Sequence, residues 1–330
     1  MTLTTRKPTG LPAWPILLIA GVPKAGKSYA CAAASASPLV GRTLWVPVGE
    51  DDPDELGGIP GADFDIVQHD GTYRGILTAV QDCVTELGGD VLPGLLVIDS
   101  ITRLWNLLSD EAQTSANKRA AAKAAKFGRS APEGDVAIGM DLWNTAKSRW
   151  EHVIDALRCH RGPSIVTARL DQTAVVDERG EPTKEKVWKT QGHKSLPWDV
   201  GAIVELTAPG EAVLTGVRSL RVRDAQVARR PFPGFSVDAL WRELGLADDA
   251  GAGARQHAQL SADASLRADD QAGELQAAKA RVWAAWVKAS GSEDAESLRA
   301  DFEQATACPL AEATTAQLIE YATNLEGGKE

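Results

Sequence analysis

The sequence predicts an α/β fold with a mostly parallel central sheet, followed by a small C-terminal helical domain. Short apolar segments alternate with helical patterns through the first 210 of the 330 residues, which is typical of a parallel sheet flanked by helices. A segment rich in Ala, Asp, Gly, Ser and Gln then precedes three shorter helical patterns. We therefore predict a large domain over residues 1–246, a linker over 247–273 and a helical domain over 274–330.

The elements of the large domain follow from apolar runs and from helical spacing. Short apolar runs predict buried strands, an Ala-rich segment predicts one helix, and apolar residues spaced three and four apart predict two amphipathic helices. The predicted strands are 15–20, 43–48, 65–68, 94–99, 164–168, 201–206 and one or two within 212–222, and the predicted helices are 29–36, 72–87 and 140–161.

Three more helices are predicted in the C-terminal domain. We expect Trp283 and Trp286 to pack its interior, and recruitment of a partner protein is the alternative role for these side chains. The predicted helices are 274–290, 293–308 and 315–325.

Composition places the chain among soluble globular proteins. It is 44% hydrophobic and 24% charged, and its net charge of −10 provides no overall positive field for nucleic acid. Four scattered cysteines without a C-x-x-C pair predict neither a zinc site nor a disulfide framework, which fits a reducing compartment. Arg6 and Lys7 before an apolar run resemble a signal peptide, but that run is too short to span a bilayer and leads directly into a glycine-rich loop. We predict a cytoplasmic protein without membrane association.

The glycine-rich loop is the most specific feature of the chain. It matches the phosphate-binding pattern G-x-x-x-x-G-K-[ST] at every fixed position, between a predicted strand and a predicted helix. Backbone N–H groups in such a loop point at phosphate oxygens, and its lysine adds a positive charge near the β- and γ-phosphates. The alternative is a chance match in a turn. The predicted nucleotide-binding residues are Gly21, Val22, Pro23, Lys24, Ala25, Gly26, Lys27, Ser28 and Tyr29.

A second apolar strand ends in an acid at Asp99. Phosphate-loop enzymes need a carboxylate from a second strand near Mg²⁺, and the loop serine supplies a hydroxyl to the same ion. The sequence therefore predicts Ser28 and Asp99 as metal ligands, with Lys27 and Asp99 in the catalytic group. An Asp at this position alternatively caps the helix that follows.

Hydrolysis also requires a group that orients a water molecule for in-line attack. Glu50 follows the second strand closely, so the sheet should present it at the carboxyl edge beside the phosphate loop. We predict Glu50 as the general base. Asp51 and Asp52 are competitors for this role, and an acidic turn facing water is the other interpretation.

These motifs, in this order, resemble the RecA-like P-loop ATPase core, with its Walker A loop and Walker B strand. The likeness is greatest to the small phage-encoded RecA-like ATPases used in single-strand annealing recombination. It is carried by the Lys24–Lys27 form of the loop, by the helix from 139 that runs into the strand at 164–168, and by residues 190–206. It covers roughly residues 12–225.

The resemblance implies a DNA-stimulated, Mg²⁺-dependent ATPase that binds single-stranded DNA and promotes annealing or recombination. Its implied ligands are ATP and Mg²⁺, and its implied partners are further copies of itself and a single-strand-binding protein or annealase. A ring-forming DNA helicase is one alternative. A nucleotide-dependent switch or assembly factor that does not bind DNA is another.

The resemblance also implies two DNA-contacting loops. The first, residues 109–139, has no acid between Glu111 and Glu133, and some of its cations share helical spacing, although a solvated Ala-rich helix would look the same. The second, residues 171–199, interleaves lysines with a tryptophan, but a hairpin with Trp188 covering the sheet is the alternative. The predicted DNA-binding residues are Lys118, Arg119, Lys123, Lys126, Arg129, Lys184, Lys186 and Trp188.

Three further cations are candidates for contacts with the phosphates of ATP. In the family the nucleotide often lies between subunits, so Lys189 and Lys194 are candidates to reach a neighbour's site, and Arg169 at a strand end is a candidate to sense phosphate within its own subunit. The alternative for each is an ordinary surface charge.

Overall fold

The computed structural model places the chain in two compact units, residues 1–258 and 259–330. The structure describes the backbone of residues 3, 5–88, 91–176, 181–222, 229–248, 252–253, 255, 257 and 262–327, and the side chains of the same residues except 176 and 262–272.

A nine-stranded sheet forms the centre of the first unit. Its strands are β1 (Ile16–Gly21), β2 (Thr43–Pro47), β3 (Asp65–Ile66), β4 (Leu95–Asp99), β5 (Ser164–Val176), β6 (Pro182–Thr190), β7 (Ala202–Ala208), β8 (Glu211–Val217) and β9 (Arg230–Pro231). They lie in the order β3-β2-β4-β5-β1-β7-β8-β9, and β6 pairs with β5 outside this path. The pairs from β3 through β7 are parallel, whereas β6, β8 and β9 are antiparallel to their neighbours.

Helices cover both faces of this sheet, and this explains why its central strands carry apolar residues on both faces. In β1, Leu18 belongs to the core on one face, and Leu17 and Ile19 to the core on the other. The helices α2 (Tyr73–Glu86), α3 (Ile101–Lys126) and α4 (Met140–Cys159) cover the first face, and α1 (Lys27–Ser35) and α6 (Val237–Glu243) cover the second. A short helix α5 (Leu196–Asp199) precedes β7.

The helices α2 and α3 begin at residues whose hydroxyl groups cap them. The Thr72 hydroxyl accepts a hydrogen bond from the Gly75 amide at the start of α2, and the Ser100 hydroxyl accepts one from the Arg103 amide at the start of α3. Such caps satisfy amides that have no partner inside the helix. Ser100 therefore fixes α3 directly after β4, and this places the first turn of α3 beside the carboxyl ends of the strands.

The second unit contains three helices, α7 (Ala262–Ser290), α8 (Ala295–Thr306) and α9 (Thr315–Gly327). Val282, Phe302 and Leu318 are buried together in its core. Trp286 packs against this core, whereas Trp283 is exposed. The helix α7 begins inside the segment that the sequence predicts as a linker, so residues 262–273 are helical.

The predicted fold class, an α/β core with a mostly parallel sheet together with a small helical unit, is confirmed. Within the first segment that the resemblance implies as DNA-contacting, residues 109–126 are helical, in agreement with the helical spacing of its cations and with the helix propensity of its alanines. One boundary of the prediction is wrong. The strand predicted at 164–168 continues to residue 176 and forms a hairpin with β6.

In the described part of the chain, no helix combines the length and the apolar composition needed to cross a membrane.

Candidate active site

The sheet brings the phosphate loop and three further predicted residues to one edge. Within the parallel pairs, Gly21 of β1 lies opposite Arg169 of β5, and Pro47 of β2 lies opposite Asp99 of β4. Because these strands are parallel, their carboxyl ends meet at the same edge. The phosphate loop, Glu50, Asp99 and Arg169 therefore surround one position.

The phosphate loop runs from the end of β1 to the start of α1. Lys24 and Gly26 adopt positive φ angles of 60° and 94°, so the backbone curls between strand and helix. Gly21 is required for a different reason, because a Cβ atom there would lie 3.0 Å from the Lys27 Cγ and 3.1 Å from the Leu206 Cβ. A side chain at residue 21 would therefore crowd the lysine stem.

The Lys27 ammonium is folded back onto the loop. Its Nζ donates to the carbonyl oxygens of Gly21 and Val22, at 3.1 Å each. Burial lowers the pKa of Lys27, and the charges of Asp99 and Glu50 oppose this effect. The cation therefore lies close to both acids of the site.

Asp99 is a buried carboxylate held by two hydroxyl groups. Only 3% of its surface is exposed. The Ser28 hydroxyl donates to its Oδ2 at 2.7 Å, and the Thr167 hydroxyl donates to its Oδ1. Burial raises the pKa of Asp99, and the two hydroxyl bonds oppose this shift. Sequence reasoning missed Thr167, although a polar residue inside an apolar strand is a usable signal.

Glu50 has partners on both oxygens. The Ser100 hydroxyl donates to Oε1 at 2.7 Å, and the Arg169 guanidinium donates to Oε1 at 3.0 Å and to Oε2 at 2.9 Å. Burial alone would raise the pKa of Glu50, but the hydrogen bonds from Arg169 and Ser100 outweigh it, and the pKa lies below its usual value. Glu50 is thus an ionised acid that contacts a cation.

The neighbouring acids lie elsewhere. Asp51 and Asp52 are exposed, and the Asp52 carboxylate accepts a hydrogen bond of 3.0 Å from the Asp54 amide, which begins a 3₁₀ turn. The Arg103 Nε donates to the Gly49 carbonyl at 3.1 Å and holds the backbone before Glu50. The chain therefore turns Glu50, rather than Asp51 or Asp52, towards the phosphate loop.

The donor set of Ser28 and Asp99 fits a magnesium ion. Mg²⁺ prefers oxygen ligands, keeps several waters and is usually bound by one or two protein groups together with substrate phosphates. A hydroxyl and a carboxylate in mutual contact beside the phosphate loop meet this description. Across the described residues, no group of three or more His, Cys, Asp or Glu could hold a metal instead.

The first set of predicted DNA-binding cations lies at the C-terminal end of α3. Arg119 forms an ion pair with Asp141 of α4, and its side chain is still mostly exposed. Phe127, which the sequence analysis did not single out, ends the helix with 64% of its surface exposed. The four helical cations Lys118, Arg119, Lys123 and Lys126 are exposed, as is Arg129 in the segment that follows.

The second set lies on the β5–β6 hairpin and in the segment that follows it. Lys184, Lys186 and Lys189 on β6 are exposed, as is Lys194 after it. Trp188 instead packs against the core beneath the hairpin and is half-buried.

An exposed aromatic ring lies farther along the same segment. Trp198 on α5 has 88% of its surface exposed. In the sequence, Trp198 and Trp188 are both aromatic residues near lysines, so the sequence does not tell which of the two rings is exposed.

No protein-family model and no curated protein matches this sequence. Solved structures that align with it include the RadB recombinase, with 20% identity, a TM-score of 0.36 and coverage of 63% of this chain and 84% of that chain. Another is the assembled ATPase EscN of the enteropathogenic E. coli type III secretion system, with 13% identity, a TM-score of 0.34 and coverage of 94% and 67%. A third is a type III secretion ATPase of pathogenic bacteria, with 14% identity, a TM-score of 0.32 and coverage of 95% and 80%. Likenesses this distant carry no inference about activity, so the function must be argued from this chain's own residues.

Proposed function

We propose that this protein binds and hydrolyses ATP, binds single-stranded DNA and promotes annealing or recombination. The observation that carries the proposal is the meeting of the phosphate loop, the Ser28–Asp99 pair and Glu50 at one sheet edge. Phosphoryl transfer to water requires a phosphate cradle, a metal site and a group that orients water, and these residues supply one of each.

Each residue has a distinct part in the proposed reaction. Backbone amides of the phosphate loop and the Lys27 ammonium bind the phosphates. Ser28 and Asp99 would hold Mg²⁺, which neutralises charge on the phosphate oxygens when bound. Glu50 orients a water molecule and accepts its proton as the water oxygen bonds to the γ-phosphorus. The bond from that phosphorus to the β–γ bridging oxygen breaks, and ADP and inorganic phosphate are released.

The exposed cations support the DNA-binding part of the proposal. Phe127 adds an exposed ring to the end of α3 among Lys123, Lys126 and Arg129, and Trp198 adds a second ring after the lysines of the hairpin. Single strands bind to proteins that offer cations for phosphates and aromatic faces for bases. We extend the proposed contact set to Phe127 and Trp198.

A nucleotide-dependent switch without DNA binding is the second candidate, and specific contacts favour it. Arg119 is already paired with Asp141, Glu185 lies among the lysines of β6, and the Trp188 ring is partly buried in the core. Under this alternative, DNA leaves the rate of ATP hydrolysis unchanged.

Steady-state ATP hydrolysis with and without single-stranded DNA distinguishes these candidates. We expect Lys27→Ala to abolish hydrolysis, and Glu50→Gln to lower kcat by about 100-fold or more while ATP still binds. Hydrolysis by the Lys27→Ala protein at the wild-type rate would refute the assigned site.

Binding of a labelled oligonucleotide tests the DNA contact directly. Alanine at Lys118, Lys123 and Lys126 together should weaken binding and reduce its salt dependence by about one released ion per lost phosphate contact. Lys288→Ala, which removes an exposed lysine in the second unit, is the matched control. Absence of binding by the wild type at low salt, with hydrolysis indifferent to DNA, would leave the switch as the function, whereas equal binding by the wild type and the triple variant would exclude these three lysines as DNA contacts.

The second unit is proposed to recruit a single-strand-binding protein or annealase. Deleting residues 259–330 should then abolish partner capture while ATP hydrolysis remains.

Subunits are proposed to assemble, with Lys189 or Lys194 of one subunit reaching the nucleotide site of its neighbour. Light scattering with and without ATP tests the assembly, and a monomer under both conditions would refute it.

A further inference from the structure

The carboxylate proposed as the general base is fully engaged by other groups. Arg169 donates to both oxygens of Glu50, at 3.0 and 2.9 Å, and Ser100 donates to one of them at 2.7 Å. A carboxylate that orients water needs a lone pair directed at that water, and the bidentate guanidinium competes for the same positions. In this arrangement Glu50 is a poor base, because its partners also stabilise its ionised form.

Arg169 also lies within reach of the phosphate loop. It is in register with Gly21, the first residue of the phosphate loop, on the neighbouring strand. The terminal phosphate of ATP would therefore enter a position close to both Glu50 and Arg169. A phosphate carries more negative charge than a carboxylate and also accepts two parallel hydrogen bonds from a guanidinium.

The backbone of Arg169 is fixed, whereas its side chain is half exposed. The Arg169 amide donates to the Thr102 hydroxyl at 3.0 Å, and its carbonyl accepts from the Gln191 amide at 2.8 Å. The Thr102 hydroxyl donates in turn to the Gln191 carbonyl, which closes a ring of three hydrogen bonds. Nearly half of the Arg169 side-chain surface is exposed, at 48%. Only the side chain is thus free to change partners.

We propose that Arg169 is a reversible latch on Glu50, a positioning residue that holds the carboxylate until the terminal phosphate of ATP takes over its guanidinium. ATP, but not ADP, then frees Glu50 to orient water. The inference rests on the proposed ATPase function. It differs from a simple phosphate contact because Glu50 and ATP compete for the same cation.

Competition between Glu50 and ATP for the Arg169 guanidinium predicts how the affinity for ATP changes when Glu50 is replaced. If Glu50 must release Arg169 when ATP binds, removing the Glu50 carboxylate should tighten ATP binding. An exposed ion pair has a modest strength, so we expect the increase in affinity to reach up to about fivefold. The increase should require Arg169, and it should be absent for ADP, which lacks the terminal phosphate.

The experiment is a double-mutant cycle measured by calorimetric titration with a non-hydrolysable ATP analogue and with ADP. The proteins are the wild type, Glu50→Ala, Arg169→Ala and the double variant, all as full chains. Asp51→Ala is the matched control, because it removes an exposed carboxylate one residue away that does not contact Arg169. Thermal unfolding of each variant verifies that the fold is retained.

The expected result is tighter binding of the ATP analogue by Glu50→Ala alone. The same change made in the Arg169→Ala background should have little effect on that affinity, and Arg169→Ala alone should weaken the ATP analogue but not ADP. Equal tightening in both backgrounds would refute the latch, because general charge repulsion by Glu50 would then explain the change. Equal tightening for ADP would also refute it.

The outcomes separate this inference from the function on which it rests. A wild-type protein that binds neither nucleotide overturns the proposed ATPase function itself. A wild-type protein that binds and hydrolyses ATP, with no effect of Glu50→Ala on ATP affinity, overturns the latch alone.

Discussion

His160 makes the stability of the first unit depend on pH. It follows the last residue of α4, is only 2% exposed, and its Nε2 lies 2.9 Å from the Gly94 carbonyl at the start of the Asp99 strand. Burial lowers its pKa from 6.5 to about 4, and the charge of Arg255 acts in the same direction. The side chain is therefore neutral in the folded protein at neutral pH.

The sign and size of the effect follow from linkage. The unfolded state takes up a proton on this histidine near pH 6.5, whereas the folded state does so only near pH 4. The stabilising contribution is therefore complete above pH 6.5 and is lost as the pH falls towards 4. A pKa difference of this size corresponds to about 3 kcal/mol of unfolding free energy.

Urea unfolding of the full chain, followed by tryptophan fluorescence at several pH values from neutral to acid, measures this effect. His160→Asn cannot titrate, and its amide can donate to the same carbonyl, so its stability should fall less steeply with acid than that of the wild type. His152→Asn, at an exposed position of α4, is the matched control for replacing a histidine by asparagine. Parallel pH curves for the wild type and His160→Asn would refute the assignment.

Three further predictions concern other contacts. Gly21→Ala should weaken nucleotide binding, since its Cβ would lie 3.0 Å from the Lys27 Cγ and displace the lysine stem, whereas Gly57→Ala, with open space around its Cβ, should bind normally; equilibrium titration with ATP measures both, and equal affinities would contradict this reasoning. Thr167→Val removes a hydrogen bond from the buried Asp99, so we expect a loss of about 1–3 kcal/mol in urea unfolding and slower ATP hydrolysis, and unchanged values of both would contradict the proposed role. Arg255→Ala removes three hydrogen bonds to backbone carbonyls of buried residues, at 2.7, 3.0 and 3.2 Å in the native fold, and should lower the unfolding free energy by about 3 kcal/mol, so an unchanged thermal midpoint would show these contacts to be dispensable.

The sequence could predict those parts of the site that are local. The phosphate loop has a fixed spacing, and Asp99 ends an apolar strand, so both could be recognised without tertiary information. Glu50 required one more step, because its position follows from the rule that parallel strands present their carboxyl ends at one edge. That rule could not by itself separate Glu50 from Asp51 and Asp52, and it is the side-chain contacts of Glu50 that distinguish it in the structure.

The contacts between distant segments could not be predicted. Arg169 and Thr167 are separated from Glu50 and Asp99 by more than sixty positions, and no periodic pattern links them. Long-range pairing depends on strand order and register, which single-sequence patterns do not specify. Long-range pairing also explains why Trp188 is partly buried while Trp198 is exposed, because β6 places the Trp188 ring against the core.

The two acids of the site differ in the charge of their partners, and this difference bears on their proposed roles. Asp99 is held by the neutral hydroxyls of Ser28 and Thr167, and burial raises its pKa, so a divalent cation would stabilise its charge. Glu50 is held by a guanidinium that already stabilises its charge. A metal ligand benefits from the first environment, whereas a general base is weakened by the second. Efficient hydrolysis therefore requires Arg169 to leave Glu50 during turnover, while Asp99 can keep both hydroxyl partners throughout.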